Sequence, residues 1–384
     1  MASISERVEV SEFLVSLLNR LKIVCESFEN DTDFAKGANH TGEIIKLWVN
    51  GRDEKEQKVE LCLLLKIALR DISSRKIFSI ESSYGCESFV YETIFTLFAR
   101  MQDEAKIEDR FESYPKYYSS STKAMEELIV LENLTSFKVV DRSETLTYHQ
   151  ARILAKEIGK LHALANKKLE EEEYVKFAVH WIGSWNSRYL DLFDSELMRE
   201  TVRTLIPAKI REMFARHYSF DPDDVYGVIG HCDLWSSNLL FNEQEVRIID
   251  WQTSRVCSPA VDLSQILFSC CDGEVRNKHK QDLIQAYYDS CSEMLMMFGE
   301  DPNATFPRAI LQKHLETYSG YALSLALRTV TLISVPKDEI PDTSMSQSYA
   351  EVTEKYMTVN LNSNIFDKRI RDILTDYVSY GYDI

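Results

Sequence analysis

The distribution of apolar and polar residues along this chain changes its period near residue 133. Before that point, the apolar runs IIKLWV (44–49) and VELCLLLKIAL (59–69) lie on either side of an Asn-Gly pair at 50–51 and a charged stretch at 52–58. Two such runs around an Asn-Gly pair predict an antiparallel β-hairpin, with the charged stretch widening its connection.

Three more segments complete the first part of the chain. Residues 11–25 carry apolar side chains at helical spacing behind Ser11, a candidate N-cap, and ESFVYETIFTLFARM (87–101) has the same spacing. The apolar run LIVLENL (128–134) predicts a short strand. Together with the hairpin, these segments predict a small α+β domain with an antiparallel sheet over residues 1–133.

Beyond residue 133 the apolar spacing is mainly helical, as in residues 151–168 and 199–217. The exception is a short β segment between Val228 and Trp251. The sequence therefore predicts a second, larger and mainly helical domain over residues 134–384, without internal repeats or low-complexity linkers.

Composition narrows the class of protein. The chain has 384 residues, 45% of them hydrophobic, and a formal charge of -17 spread along its length, which disfavours a nucleic-acid partner. Its first residues lack the pattern of a secretory signal, and no apolar run approaches the roughly 20 residues that span a bilayer. None of the eight cysteines forms a CxxC pair. We therefore expect a cytoplasmic protein with reduced thiols, no membrane segment and no evident protein partner.

The β segment holds the candidate chemistry, HCDLWSSN (231–238), with Asp250 closing the hairpin that follows. An aspartate at a strand end, here Asp233, can orient a hydroxyl and accept its proton during attack on the γ-phosphate of ATP. The amide oxygen of Asn238 and the carboxylate of Asp250 are hard ligands of the kind that Mg²⁺ prefers. This pattern predicts phosphoryl transfer, with His231 bracing the loop through hydrogen bonds rather than reacting.

The His-Asp-Asn spacing alone is weak evidence for a kinase site, because it would occur by chance in roughly one such chain in fifty. Residues elsewhere in the sequence strengthen it. Lys66 interrupts the apolar run 59–69, and a lysine buried there needs an anionic partner such as the phosphates of ATP. Glu87, at the start of the predicted helix, is positioned to pair with it as in kinases. The alternatives are a surface lysine on an edge strand and a helix-start glutamate favoured by the helix dipole.

Two backbone features could contact the nucleotide. In the loop GANHTG (37–42), Gly37 and Gly42 would let backbone N–H groups approach the phosphates, although a surface turn would look the same. The strand that ends the first domain would present the backbone of Glu132 and Leu134 to adenine. A plain core strand predicts the same sequence.

Several further residues can each be interpreted in two ways. His162 is more consistent with a packed, hydrogen-bonded histidine than with a catalyst. Asp262 would anchor the catalytic loop by accepting backbone N–H bonds, or is an ordinary aspartate at a helix start. The cluster of Trp181, Trp185 and Tyr189 would line an acceptor pocket or fill the core.

In their order, these segments resemble the choline-kinase-like and ecdysteroid-kinase-like family, relatives of aminoglycoside phosphotransferases. The likeness rests on GANHTG, LLLKIAL, ESFVYE, LIVLENL, GKLHALA, GHCDLWSSNLLF, VRIIDWQ and PAVDLSQI. It implies a bilobal protein-kinase-like fold, dependence on ATP and Mg²⁺, and phosphorylation of a hydroxyl on a small molecule such as an ecdysteroid. It also implies Asp233 as the base, Asn238 and Asp250 as metal ligands, and Lys66, paired with Glu87, on the phosphates.

Two details qualify this resemblance. Cys232 stands where the family usually has glycine, which puts the rate rather than the role of the loop in question. Only 11 residues separate Asp250 from Asp262, too few for the activation segment of a protein kinase, so a small hydroxylated acceptor is favoured. The alternatives are a non-catalytic pseudokinase or small-molecule carrier, and a choline or ethanolamine kinase.

Overall fold

The computed structural model describes residues 7–32, 41–165, 195–218, 220–221, 224–342, 346, 349–359 and 361–383. Its first part contains a five-stranded antiparallel sheet with the strand order β1-β2-β3-β5-β4. The strands are β1 (Val24–Asp31), β2 (Gly42–Arg52), β3 (Lys58–Ala68), β4 (Tyr117–Ser121) and β5 (Leu128–Glu132). The predicted α+β class and antiparallel sheet are confirmed.

The hairpin of β2 and β3 is present, but its turn is not where the sequence predicted it. Asn50 and Gly51 continue β2 in register with β3, and residues 53–57 form the turn. The Asp53 carboxylate accepts the N–H groups of the residues two and four positions later, which closes this turn. Glycine fits inside the strand because a Cβ at Gly51 would lie 2.3 Å from the Val24 carbonyl oxygen of β1.

The N-terminal helix begins and ends earlier than predicted. Helix α1 (Val8–Arg20) contains Ser11 in its interior, so Ser11 is not the N-cap. The residues after the helix form β1, which pairs with β2 at the edge of the sheet and is exposed along nearly its whole length. Its sequence VCESFEND therefore lacks the apolar alternation by which a half-buried strand is recognised.

The helix that carries Glu87 also begins earlier than predicted. Helix α2 (Ile72–Ile77) precedes α3 (Ile80–Phe89), which continues through a π-helical turn (Val90–Ile94) into α4 (Phe95–Glu104). Glu87 lies two turns inside α3 rather than at its start. The helix dipole, which acts within the first turn, does not account for a glutamate there.

The second part of the chain is mainly helical, as predicted, and holds two small antiparallel sheets. Strand β7 (Val228–Gly230) pairs with β10 (Arg255–Cys257), while β6 (Lys138–Val139), β8 (Leu239–Phe241) and β9 (Val246–Ile248) form the other sheet. The helices are α5 (Tyr148–Leu164), α6 (Glu196–Glu200), α7 (Ile206–Tyr218), α8 (Ala260–Gln265), α9 (Gly273–Met297), α10 (Pro302–Thr305), α11 (Arg308–Ser334), α12 (Tyr349–Met357) and α13 (Ser363–Ser379).

Two hydrophobic clusters lie on opposite faces of the five-stranded sheet. The first joins α1 to the sheet and includes Leu65 and Val130. The second includes Ile129 and Leu131 and continues through α3 and α4 into the helices of the second part. Because successive side chains of a strand point to opposite faces, Lys66 belongs to the second face, where it pairs in register with Ile129.

The predicted domain boundary at residue 133 stays a prediction, since the second hydrophobic cluster is continuous across it. Among the helices of the described residues, α11 with 27 residues and α9 with 25 are the longest. Within the ranges that the structure describes, no helix has the length and apolar character needed to cross a membrane.

Candidate active site

A buried lysine connects three segments that are far apart in the sequence. Lys66 Nζ lies 2.6 Å from Glu87 Oε2 of α3 and 2.5 Å from Asp250 Oδ1 in the loop after β9. The side chains of Lys66 and Glu87 are only 7% and 1% exposed. Strand β3 lies between β2 and β5, so the alternative of a surface lysine on an edge strand is wrong.

The charge of this lysine is stabilised by its two partners. Burial opposes the positive charge of Lys66, but the carboxylates of Asp250 and Glu87 outweigh it and raise its pKa. One ammonium between two carboxylates leaves one negative charge in excess. Such a site favours a further cation near Asp250, which is the more exposed of the two carboxylates, at 25% against 1%.

Tyr84 and Gly42 lie close to the same lysine. The centre of the Tyr84 ring is 5.7 Å from Lys66 Nζ, and the Tyr84 hydroxyl is buried without a hydrogen-bond partner among the described residues. A Cβ on Gly42 would lie 2.3 Å from both that hydroxyl oxygen and the Ile67 carbonyl oxygen. Of the predicted glycine loop, Gly42 thus packs against the lysine strand, while Gly37 lies outside the described residues.

We expect Gly42→Ala to lower the free energy of unfolding by about 1–3 kcal/mol, since the added methyl group must displace the Tyr84 hydroxyl or the β3 backbone. Gly85→Ala is the matched control, because a Cβ there meets nothing within 4 Å. Inside α3 it should stabilise the protein by about 0.5–1 kcal/mol. Urea denaturation of both variants measures the difference, and a Gly42→Ala protein as stable as the native one would contradict the close packing.

The loop 231–238 runs from β7 through a 3₁₀ turn (Ser236–Asn238) into β8. Cys232 within it has a φ of +65°, a left-handed conformation that costs a non-glycine residue about 1–3 kcal/mol. This conformation explains why glycine suits the position. The Cys232 Sγ is buried 3.6 Å from the Sγ of Cys257, so the loop holds the left-handed conformation with the larger side chain in place.

His231 connects the two aspartate-bearing segments. Its Nε2 lies 3.0 Å from the carbonyl oxygen of Ile249, and the Asp233 N–H donates to its Nδ1 over 3.2 Å. The imidazole is fully buried and packs edge-on against Trp251. Both ring nitrogens have hydrogen-bond partners. His231 therefore holds the backbone of Asp233 close to Ile249, the residue that precedes Asp250.

Asp262, in the first turn of α8, binds the backbone of this loop. Its carboxylate accepts the N–H of His231 over 2.7 Å and that of Cys232 over 2.8 Å, and His162 Nε2 lies 3.3 Å away. Burial opposes its charge, but the hydrogen bonds from His162 and Cys232 outweigh it and hold the pKa of Asp262 below its ordinary value. His162 is bonded on its other side to the Tyr287 hydroxyl at 2.8 Å.

Sequence reasoning missed two residues of this site. Gln265 accepts the Leu234 N–H over 2.6 Å and donates to the Cys232 carbonyl over 2.8 Å. Arg328 Nη2 of α11 lies 3.4 Å from Asp233 Oδ1. Both had a local signal, since Gln265 follows the anchoring aspartate by one helical turn and Arg328 interrupts the apolar helix sequence YALSLALRTVTLIS.

Asp233 itself is largely enclosed, with its side chain 17% exposed. Burial raises the pKa of Asp233 above its ordinary value, and Arg328 partly opposes this. A carboxylate with a raised pKa is a stronger base. The Asn238 Nδ2 donates to the Asp233 carbonyl over 2.9 Å, which turns the amide so that its oxygen remains an acceptor.

Asn238 and Asp250 lie at the two ends of the β8–β9 hairpin. The Ile249 N–H donates to the Asn238 carbonyl over 3.0 Å, which keeps the two ends adjacent. Asp250 adopts a φ of +66°, and Gln252 donates to its Oδ2 over 3.1 Å. No group of three or more His, Cys, Asp or Glu residues able to hold a metal occurs in the described ranges. An amide oxygen and a carboxylate would need phosphate and water oxygens to complete a magnesium site.

Glu132 and Leu134 lie where the chain leaves β5. The Glu132 N–H donates to the Lys116 carbonyl over 2.8 Å, and the Asn133 N–H donates to the Cys62 carbonyl over 3.0 Å. The Glu132 N–H is therefore used within the sheet. The contact of this pair of residues with adenine stays a prediction.

This arrangement brings a charged lysine, the largely enclosed carboxylate of Asp233 and two candidate oxygen ligands, Asn238 and Asp250, into one hydrogen-bonded group. Such a set can hold a polyphosphate, a divalent cation and a hydroxyl group near one another. The predicted aromatic cluster of Trp181, Trp185 and Tyr189 lies outside the described residues, so its two readings stay open.

Comparison with known proteins shows the family to which the chain belongs. A model of the ecdysteroid kinase-like family matches residues 36–300, which is more than half of the chain. Among curated proteins, the uncharacterized oxidoreductase dhs-27 of Caenorhabditis elegans is 27% identical over an alignment of 140 residues that covers 33% of this chain. The match spans only 16% of the length of that relative.

Solved structures of small-molecule kinases are similar along nearly the whole chain. Choline kinase from Cryptosporidium parvum has a TM-score of 0.47 and 13% identity, covering 97% of both chains. An aminoglycoside phosphotransferase from Alicyclobacillus acidocaldarius has a TM-score of 0.40 and 12% identity, covering 94% of this chain and 93% of its own. Amicoumacin kinase hAmiN has a TM-score of 0.41 and 12% identity, covering 95% of both.

Proposed function

The chain belongs to the ecdysteroid kinase-like family, and we propose that it transfers the γ-phosphate of ATP to a hydroxyl group of a small molecule. The observation that carries this proposal is the buried ion cluster of Lys66, Glu87 and Asp250. Buried charges cost stability unless they are well paired, and perturbed charges are concentrated at functional sites. The proposed base, Asp233, is tied to the same cluster through His231.

ATP and Mg²⁺ fit the residues that are present. Lys66 would bind phosphate oxygens, with Glu87 keeping the ammonium charged and oriented. Asn238 and Asp250 would hold Mg²⁺, whose charge would offset the excess negative charge of the cluster. When bound, the ion would neutralise charge on the phosphate oxygens during transfer.

Asp233 is the proposed base, and its role follows from its surroundings. It would accept a hydrogen bond from the acceptor hydroxyl and take its proton as the acceptor oxygen bonds to the γ-phosphorus. The bond between that phosphorus and the β–γ bridging oxygen breaks, and ADP leaves with the electron pair. The raised pKa of the buried Asp233 carboxyl supports proton acceptance.

The acceptor is proposed to be small because the chain leaves little room for a protein substrate. Strand β10 and helix α8 follow Asp250 almost at once, and Asp262 of α8 already anchors the catalytic loop. A protein kinase needs a long segment at this position to present its substrate. Ecdysteroids and hydroxylated or glycosylated foreign compounds are the first acceptors to test.

We expect Mg-ATP at 100 times its dissociation constant to raise the free energy of unfolding by about 2.7 kcal/mol, because a ligand that binds only the folded state stabilises it. A thermal unfolding scan with Mg-ATP, with ATP and EDTA, and without nucleotide measures the effect. The shift should be largest with the metal present. No shift with Mg-ATP would favour a carrier that has kept the fold and lost the nucleotide.

Transfer itself is tested with labelled ATP and a panel of steroid, glucoside and amino-alcohol acceptors. Appearance of the label in any acceptor supports the proposal. Stabilisation by Mg-ATP without transfer to an acceptor, in an untargeted search of lysate metabolites as well as in the panel, would instead indicate a pseudokinase. Preferred transfer to choline or ethanolamine would place the acceptor in that class.

A further inference from the structure

The hydroxyl group of Tyr84 is buried beside the proposed phosphate site without a hydrogen-bond partner. Tyr84 is a residue of α3, one turn before Glu87, and it is 0% exposed. Its hydroxyl oxygen forms no hydrogen bond with any of the described residues. A buried hydroxyl has lost its bonds to water, so leaving it without a partner destabilises the folded protein. Each such group in a native structure therefore calls for an explanation.

The space for this hydroxyl is provided by Gly42. A Cβ on Gly42 would lie 2.3 Å from the Tyr84 hydroxyl oxygen, so the hydroxyl fills the place of the missing side chain. The Ile67 carbonyl oxygen lies equally close to that point but does not accept a hydrogen bond from the hydroxyl. Gly42 is the last residue of the predicted glycine loop and the first of β2. Helix α3 thus supplies a hydroxyl at a position where this loop has no side chain of its own.

This position lies on the same face of the sheet as Lys66. Gly42 pairs with Ala68, and Ile44 pairs with Lys66. Residues two apart in a strand point to the same face and are roughly 6.6 Å apart. The centre of the Tyr84 ring is 5.7 Å from Lys66 Nζ. The hydroxyl and the ammonium are therefore neighbours on the face to which the proposed function assigns the phosphates of ATP.

The hydroxyl is a neutral donor, and a phosphate oxygen is the acceptor that such a donor suits. Burial raises the pKa of Tyr84 above its ordinary value, so the hydroxyl keeps its proton. The nearest carboxylates, those of Glu87 and Asp250, accept from Lys66 instead. A phosphate that binds Lys66 brings further charged oxygens into this region, and hydrogen bonds to charged acceptors are the stronger ones.

We propose that Tyr84 is a further nucleotide-binding residue, whose hydroxyl donates a hydrogen bond to a phosphate oxygen of the nucleotide that Lys66 holds. The inference rests on the proposed phosphate transfer and deepens it, because it adds a side chain of α3 to the ATP site. Nucleotide binding gives the hydroxyl a partner that the described part of the chain does not supply. A hydrogen bond to a charged acceptor contributes about 10- to 150-fold in affinity.

Tyr84→Phe tests the hydroxyl alone, since the phenylalanine ring keeps the contact with Lys66. We expect the Kd of Mg-ATP, measured by isothermal titration calorimetry on the full-length protein, to rise at least about tenfold. Binding of adenosine, which has no phosphate, should stay the same when followed by ligand NMR. The Tm without nucleotide should be equal to or higher than that of the native protein, because the variant no longer buries an unpartnered hydroxyl.

Tyr380→Phe is the matched control. Tyr380 follows the last residue of α13, its hydroxyl is also buried without a partner among the described residues, and Lys280 lies over its ring. This variant should bind Mg-ATP with the native Kd. An unchanged Kd of Mg-ATP in Tyr84→Phe would overturn the inference. So would a lower Tm combined with equal weakening of Mg-ATP and adenosine, since that result would assign the hydroxyl a purely structural role.

Failure of the proposed function would give a different result. A native protein that binds Mg-ATP but transfers phosphate to no acceptor would contradict the proposed transfer. The comparison of native and Tyr84→Phe protein would still decide the role of the hydroxyl, because it measures binding and not turnover. A native protein that does not bind Mg-ATP would overturn both.

Discussion

Asp233→Asn should lower kcat by about 10²- to 10⁴-fold, because an amide of nearly the same shape cannot take the proton of the acceptor hydroxyl. The variant keeps the backbone bonds of the loop, since its N–H donates to His231 and its carbonyl accepts from Asn238. ATP affinity and stability should therefore change little. Transfer of labelled phosphate and stabilisation by Mg-ATP, measured side by side, check the two halves of this expectation.

The control for this variant is Asp289→Asn, the same chemical change at an exposed position of α9 where the carboxylate contacts Gln285. It should leave kcat unchanged. An Asp233→Asn protein with native kcat would remove the proposed base. One that no longer binds Mg-ATP would assign Asp233 to nucleotide binding instead of proton transfer.

Lys66→Met should destabilise the protein by about 3–5 kcal/mol and abolish phosphate transfer. Removing the ammonium leaves the buried Glu87 carboxylate without its main partner, and breaking a buried ion pair by deleting one side has a cost of this size. The phosphates of ATP lose their proposed cation at the same time. Urea unfolding measures the first effect, and labelled phosphate transfer measures the second.

A double variant separates stability from activity. In Lys66→Met/Glu87→Gln the buried charge is removed together with its partner, so much of the lost stability should return while transfer stays absent. Lys58→Met, at the exposed first position of the same strand, should be close to native in both assays. If the single variant is as stable as the native protein, the ion pair does not carry the energy that its burial indicates.

Individual residues of the candidate site could be recognised because each one departs from the apolar pattern of its neighbours. Lys66 interrupts an apolar strand, and Asp250 ends one. The structure brings both together with Glu87, although the sequence could state only that they follow one another at suitable intervals.

Some elements were predicted incorrectly because their local pattern pointed to another structure. The Asn-Gly pair at 50–51 is a strong turn signal, yet it continues β2 because β1 approaches so closely that only glycine fits at Gly51. Strand β1 carries mostly polar residues and is held by its backbone bonds to β2 at the sheet edge. In both cases the deciding contact comes from a segment that a local window does not contain.

The continuous apolar runs of β3 and β5 and the turn between β8 and β9 follow from short-range chemistry, since a short apolar run and a tight turn are recognised from neighbouring residues. The contact between Arg328 and Asp233, which are 95 residues apart, depends on how α11 packs against the loop 231–238. Packing joins residues at any separation, so their distance is set by the whole core. The sequence therefore determined the order of the elements and the candidate residues of the loop, whereas only the tertiary structure determined which distant residues contact Asp233.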